Sequence, residues 1–263
     1  MKIISIGTLK GGTGKTTMTY NLAGALAENS KVLMIDVDPQ CNLSNDAGVN
    51  IANTDSYSTK DIFTDENINP EKLVVKKPID SLPNLDIIPS NIYLIETELN
   101  LTNRAAREAI LMNYFDENKD FFNQYDYVLI DTNPSMGPIN QNAFAASDSV
   151  VLVSDVDDNS RIGVELFIFL WKRIAKAMRI PYNIKGLILN RADSRTTLTA
   201  QIWEYYKNDE EMSELLVEPP IKEKIAFRKA VLEKTPITKY REGKDSAKEI
   251  FELVDSLKAK GVF

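Results

Sequence analysis

The sequence predicts an α/β fold of three layers, a mostly parallel central sheet flanked by helices, and three observations predict it. Short apolar runs alternate with longer segments of helical period, the pattern of strands buried on both faces and joined by crossover helices. A glycine-rich turn stands between the first such strand and the first such helix. Finally, 263 residues with 43% hydrophobic and 26% charged side chains suffice to bury a full core without staples. No repeat, low-complexity tract or linker interrupts the pattern, so residues 1–263 read as one domain.

Taken in order, Lys2 to Ile6 is an apolar run and predicts a buried strand. Thr16 to Glu28 follows as a helix, with Leu22, Ala23, Leu26 and Ala27 on one face. Lys31 to Val37 is the second strand. The polar stretch Asn42 to Asn69 predicts loops with short elements. Asn84 to Pro89 is short and apolar, and Glu96 to Asn113 has helical period. Tyr127 to Asp131 and Ser149 to Val153 are strands of near-continuous apolar character. Gly163 to Met178 predicts a helix, Asn183 to Asn190 a strand, and Thr197 to Tyr206 and Ala247 to Lys258 two more helices.

Composition removes several chemistries. The chain has no histidine and one cysteine, Cys41. Imidazole-based nucleophilic catalysis, imidazole metal sites, an internal disulfide and multi-cysteine clusters are therefore excluded within one chain. No segment approaches the ~20 apolar residues of a membrane span, and the start is too short for a signal peptide, so the cytoplasm is expected. Net charge is −7, unevenly spread. Residues 172–195 carry seven basic side chains against one acidic, and residues 219–248 nine against four. Counting leaves two readings open, solvated helix faces or a positive face for a polyanion.

The sharpest signal is Lys10-Gly11-Gly12-Thr13-Gly14-Lys15-Thr16-Thr17. Glycines let the backbone turn tightly and aim successive N–H groups into one concavity, and the helix that starts there adds its positive dipole end. Lys15 is placed to reach β- and γ-phosphates, and the Thr16 hydroxyl to ligate Mg²⁺. The loop departs from the strict G-x-x-x-x-G-K-[ST] pattern because Leu9 holds the first glycine position, and Lys10 precedes the glycine pair. Asp36 and Asp38 stand two apart at the end of a strand, where alternate side chains share a face. Asp131 closes another apolar strand, the arrangement of a carboxylate near magnesium.

Lys10-Gly-Gly-Thr-Gly-Lys-Thr resembles the deviant phosphate loop of the ParA/MinD family of P-loop ATPases. The likeness continues at Ile35-Asp36-Val37-Asp38-Pro39-Gln40, Asn84-Leu85-Asp86-Ile87-Ile88-Pro89-Ser90, Asp131-Thr132-Asn133-Pro134-Ser135 and Leu189-Asn190-Arg191. It is greatest to the small ParA proteins without an N-terminal DNA-reading domain, since the loop begins within ten residues of Met1. The resemblance implies ATP and Mg²⁺ as ligands, with residues 11–17 around the phosphates. It assigns Asp38 to positioning the hydrolytic water, and Asp36 and Asp131, with Thr16, to the surroundings of the metal. Asn190, with Arg191 beside it and Pro220 in the later loop Val217 to Ile221, would hold the base. Lys10 would reach across a two-fold axis to the phosphates of a partner's ATP, coupling nucleotide state to a homodimer. Asn133 stands where the family usually has a proline, in a switch loop running to Gly137. Cys41 occupies a position often held by glycine and reads as packed rather than reactive.

In the ParA branch the ATP dimer binds DNA without sequence preference, which places the protein on the nucleoid when ATP-bound, and a centromere-binding or adaptor protein resets it. Arg195 falls where chromosomal relatives have a DNA-contacting arginine. Ala226 falls where a second arginine is expected, with Lys222, Lys224 and Arg228 close by as substitutes. The MinD branch binds membrane through a basic amphipathic C-terminal helix. Here the tail from Glu249 to Lys258 is acidic in its middle, so it reads as a core-facing helix, and no membrane partner is expected. Two alternatives remain from the same fold, a positioning ATPase for non-DNA cargo and a metabolic ATP-dependent synthetase.

Overall fold

Side chains of a strand alternate between faces, and in this protein both faces are buried. The computed structural model describes residues 1–65 and 67–263. Strands β1 (Lys2–Gly7), β2 (Val32–Asp36), β3 (Val75–Lys76), β4 (Leu85–Ile88), β5 (Tyr127–Asp131), β6 (Ser149–Ser154) and β7 (Ile184–Leu189) form one seven-stranded sheet. Its order is β3-β4-β2-β5-β1-β6-β7, parallel throughout except where β3 pairs antiparallel with β4. Ile4, Ile6, Met34 and Leu129 point into one core, while Ile3, Leu33, Ile35, Val128 and Ile130 point into another on the opposite face. A third core lies under helix Asp158–Met178, where Val150 and Leu152 meet Phe167 and Trp171. Each such fully buried side chain contributes about 1.5–3 kcal/mol, so the three-layer α/β expectation is met by burial on both sides of the sheet.

Helix Lys15–Leu26 packs on the first core together with the C-terminal helix Lys244–Ala259. The latter buries Ile250, Leu253, Val254 and Leu257, and so faces the core as its sequence predicts. No helix among the described residues is long and apolar enough to cross a membrane.

One expected helix is broken. Glu96 to Asn113 becomes a helix Leu94–Leu101, a 3₁₀ turn Arg107–Ala109 and a helix Ile110–Glu117. A side chain from a later helix holds the restart. Buried Asn142 accepts from the Leu111 N–H at 3.0 Å and donates to the Arg107 carbonyl at 2.5 Å, satisfying backbone groups that a continuous helix would pair internally. Among the helices that escape the sequence pattern are Pro138–Ala145 and Ile225–Leu232, besides the short Pro70–Leu73, Lys119–Phe122 and Glu210–Leu215. The first carries a readable start, a proline directly after Gly137.

The topology fixes where a ligand can sit. β1 lies between β5 and β6, so the chain leaves it in opposite directions on its two sides. In open parallel sheets that crevice, beyond the carboxyl ends of the strands, is the binding position.

Candidate functional site

The loop after β1 is shaped by its glycines. Gly12 and Gly14 have φ of 82° and 95°, in the left-handed region that favours glycine. A Cβ on Gly14 would also overlap the Asn190 amide, so space and backbone both require glycine there. Asn190, at the end of β7, donates to the Thr13 carbonyl at 2.8 Å and ties the loop to the far side of the sheet. The Thr13 hydroxyl is buried without a hydrogen-bond partner. An orphaned donor inside a nest of backbone N–H groups at a helix N-terminus is the chemistry that a phosphate oxygen completes.

Below the loop lies a floor of charge. Lys15 is buried, and burial lowers its pKa, while Asp131 and Asp38 pull it back up. Asp131 stands fully buried at the end of β5. Its Oδ2 accepts from the Thr16 hydroxyl at 2.7 Å and its Oδ1 from the Thr19 hydroxyl at 3.1 Å. Burial raises its pKa, and Lys15 and Thr16 oppose the rise. Parallel register sets Asp36 of β2 directly beside Asp131.

Asp36, expected in the outer surroundings of a metal, has protein partners for both its oxygens. Its Oδ2 accepts from both the N–H and the hydroxyl of Ser44, at 2.9 and 2.7 Å, and its Oδ1 from the Asp38 N–H at 3.1 Å. It clamps the end of β2 to the following helix Asn42–Asp46, and burial together with Asp131 raises its pKa. Asp38 lies beyond the strand end, buried, with Oδ1 accepting from the Gln40 N–H at 2.8 Å. Thr16 and Asp131 are therefore the donors of the expected set that fit a hard cation beside phosphates, since Mg²⁺ needs few protein oxygens there. Cys41 is packed, as its position predicts, and its thiol is pushed up to about 11, first by burial.

Lys10 points along the surface rather than into the floor. Its Nζ lies 2.5 Å from Asp157 Oδ2, and the loop rests over Gly163 of the helix that Asp157 caps. Ser160 donates to Asp157 from both its N–H and its hydroxyl. Burial would raise the Asp157 pKa, but hydrogen bonds from Lys10 and Ser160 outweigh it and leave it lowered. Sequence reasoning missed Asp157, although an Asp three residues before a Ser at a helix start is a readable cap signal. On the other side of the loop, Pro134 of the segment after β5 is the side chain nearest to Gly11.

Beside the loop runs a groove of about 320 Å³. Gly14, Thr17, Asn190 and Arg191, all among the residues expected around a nucleotide, line it together. Met18 and Asp46 also line it and were not anticipated, nor were Phe227 and Val231, which the unpredicted helix Ile225–Leu232 brings there. Arg191 adopts a left-handed φ of 55° and pairs with Asp155 at 3.1 Å. Pro220 is not among the lining residues. Its neighbour Ile221 is pinned to the end of β7 by a 2.9 Å bond from its N–H to the Leu189 carbonyl.

The four residues expected to meet DNA do gather, around a second hollow of about 400 Å³ lined by Arg195, Lys222, Lys224 and Arg228. Each already has a carboxylate. Arg195 pairs with Asp193 at 2.7 Å, Lys224 with Glu249 at 2.9 Å, Lys222 with Glu249 at 3.8 Å and Arg228 with Glu223 at 3.2 Å. Arg195 holds the Asp193 carboxyl down at about 2.

Known proteins match this geometry. Residues 1–184 fit a family model described as an AAA domain. The sporulation initiation inhibitor protein Soj of Bacillus subtilis is 34% identical over 207 residues, 78% of this chain and 79% of its own. A virulence plasmid ParA family protein, pGP5-D of Chlamydia psittaci, is 27% identical over 99% of this chain and 95% of its own. Among solved structures, a plasmid partition protein of Borrelia burgdorferi bound to AMPPNP superposes with a TM-score of 0.80 at 25% identity, over 98% of this chain and 99% of that one. A cobyrinic acid a,c-diamide synthase of Mycobacterium smegmatis, with bound ATP analogue and magnesium, superposes at 0.81 and 23% identity, over 99% and 96%, and so shares the fold.

Proposed function

The chain belongs to the ParA/MinD family of P-loop ATPases, and on that premise we propose that it is an ATP-driven switch that partitions DNA. ATP lies along the groove with its phosphates over residues 11–17 and its base toward Asn190 and Arg191. Lys15 holds the β- and γ-phosphates, and Thr16 and Asp131 hold Mg²⁺. That ion, when bound, neutralises charge on the phosphate oxygens. Asp38 orients the attacking water from beside Lys15.

Lys10 supplies the switch. In the single protomer it is held by Asp157 on the rim of the site, and in the ATP state it answers a partner's phosphates within a sandwich dimer. Loss of the γ-phosphate removes the charge that drew it across, and the dimer releases. The ATP dimer then carries Arg195, Lys222, Lys224 and Arg228 to duplex DNA on the nucleoid, without base contacts. A centromere-binding or adaptor protein accelerates the return to monomer.

The observation that carries the reading is a buried Lys15 beside Asp131 and Asp38, below a loop whose Thr13 hydroxyl lacks a partner. The test is ATP turnover with and without duplex DNA across a salt series, alongside solution mass in ADP and in ATP. Slow turnover that rises with DNA, and a mass that doubles only in ATP, are expected. Fast turnover without DNA, coupled to amidation of a small acid, would assign the site to synthetase chemistry instead.

A further inference from the structure

Asn140, in helix Pro138–Ala145, is fully buried and takes no part in the phosphate site. Its Nδ2 lies 2.8 Å from the Asn133 carbonyl, 2.9 Å from Asn133 Oδ1, 2.8 Å from the Ser135 carbonyl and 3.2 Å from Ser135 Oγ. Two of these four are backbone carbonyls, which only accept, so the amide nitrogen must face the loop. That turns Oδ1 the other way, where it is buried without a hydrogen-bond partner. An orphaned acceptor is a poor means of stabilising a helix. The same side chain is, however, a specific means of holding a loop.

The loop it holds follows Asp131 and lies against the glycine loop. Thr132, next to Asp131, donates from its hydroxyl to the Ile6 carbonyl at 2.7 Å and anchors the stem to β1. The Ser135 N–H closes back on the Asn133 carbonyl at 2.9 Å, and Pro134 projects from this turn toward Gly11. The turn thus wraps around the Asn140 amide, and Pro134 sits at its outer end. Here an asparagine pair, Asn133 and Asn140, does by hydrogen bonding what a stiffer backbone would do by restricting φ.

We propose that Asn140 is a positioning residue for hydrolysis, acting through the loop Asn133–Ser135, which follows Asp131 and sets Pro134 against Gly11 of the glycine loop; the proposal rests on the ATPase reading above. Its side chain does not line the groove and bonds only Asn133 and Ser135, so its loss is expected to leave affinity and impair the reacting geometry.

The experiment is steady-state ATPase kinetics of Asn140→Ala and Asn140→Asp, with fluorescent ATP-analogue binding, hydrogen exchange over residues 132–137 and thermal melting. A fall in kcat on the order of tenfold to a hundredfold is expected, with KM and analogue affinity unchanged and faster exchange across the loop. Unchanged kcat in a folded variant overturns the proposal. So does a parallel loss of kcat and affinity, which marks a merely structural residue. Should the alanine variant not fold, Asn140→Ser keeps one donor in a smaller side chain and is judged by the same split. Wild-type protein that binds ATP but never hydrolyses it would sink the parent reading, whereas wild-type hydrolysis with unaffected variants removes Asn140 alone.

Discussion

Lys15, beneath the glycine loop, and Lys224, on the groove beside it, differ in almost everything. Lys15 is buried, its charge opposed by desolvation and supported by Asp131 and Asp38. Lys224 is half-buried on the rim and paired with Glu249 at 2.9 Å. Around Lys15 the charges are fixed in place before any ligand arrives, which is how a low-dielectric site does electrostatic work. Around Lys224 every cation must leave a carboxylate to meet a phosphate. The floor under the loop is preorganised, whereas the basic flank holds carboxylates that a polyanion would have to displace.

The largest effects therefore belong to the floor. Lys15→Ala is expected to lower ATP affinity by on the order of 100-fold, the scale of losing a buried charged hydrogen-bond donor, measured by calorimetry. Affinity retained within a few-fold would break the comparison at its strong end. Asp38→Ala should separate binding from chemistry. Turnover is expected to fall by roughly 100-fold or more, while ATP binding persists and the dimer accumulates. Turnover at the wild-type rate would move the water-orienting role to another group.

Effects on the flank should be smaller and should depend on salt. Arg195→Glu is expected to weaken duplex DNA binding while leaving the ATP-state mass unchanged. For every DNA phosphate that the variant no longer neutralises, the slope of log affinity against log salt should flatten by about 0.9. Glu249→Gln sharpens the contrast, because it releases Lys222 and Lys224 together. A rise of a few-fold in DNA affinity is expected for it, and no rise would show that these pairs do not limit the surface.

The same division explains what could be read in advance. The phosphate loop, Asp38 and Asp131 were legible because their chemistry lies within short runs at the ends of apolar strands. The sheet was legible because both its faces are buried, leaving Leu33 and Met34 equally apolar. The flank was only half legible. Counting residues 219–248 omits Glu249, the next residue and the partner of two of the lysines counted. Asn140 and Asn142 carried no signal, because an asparagine in a helix is polar by composition and structural only through distant carbonyls. The clamp made by Asp36 was illegible for a related reason. Its spacing from Asp38 is visible, but Ser44, which donates twice to its Oδ2, comes from beyond the turn after the strand.

The smallest expected effect tests the border between the two regions. Asp46 lines the groove together with Arg191, and burial raises its pKa to about 6, against the pull of Lys234. A carboxyl whose folded pKa exceeds its ordinary 3.8 stabilises the fold below that value, and the contribution is lost as pH rises through 6. Above pH 6 the charge is a liability, both to the fold and to an anionic ligand entering the groove. The side chain is half-exposed, so solvent screening reduces the raw shift to about 1 kcal/mol. Asp46→Asn should therefore melt about 2–4 °C above wild type at pH 8, with the gap closing toward pH 5. ATP affinity should rise a few-fold at pH 8 and less at pH 5.5. A melting gap of equal size at both pH values would mean that packing rather than charge separates the variant from wild type, and Asp46 would then belong to the fold and not to the groove.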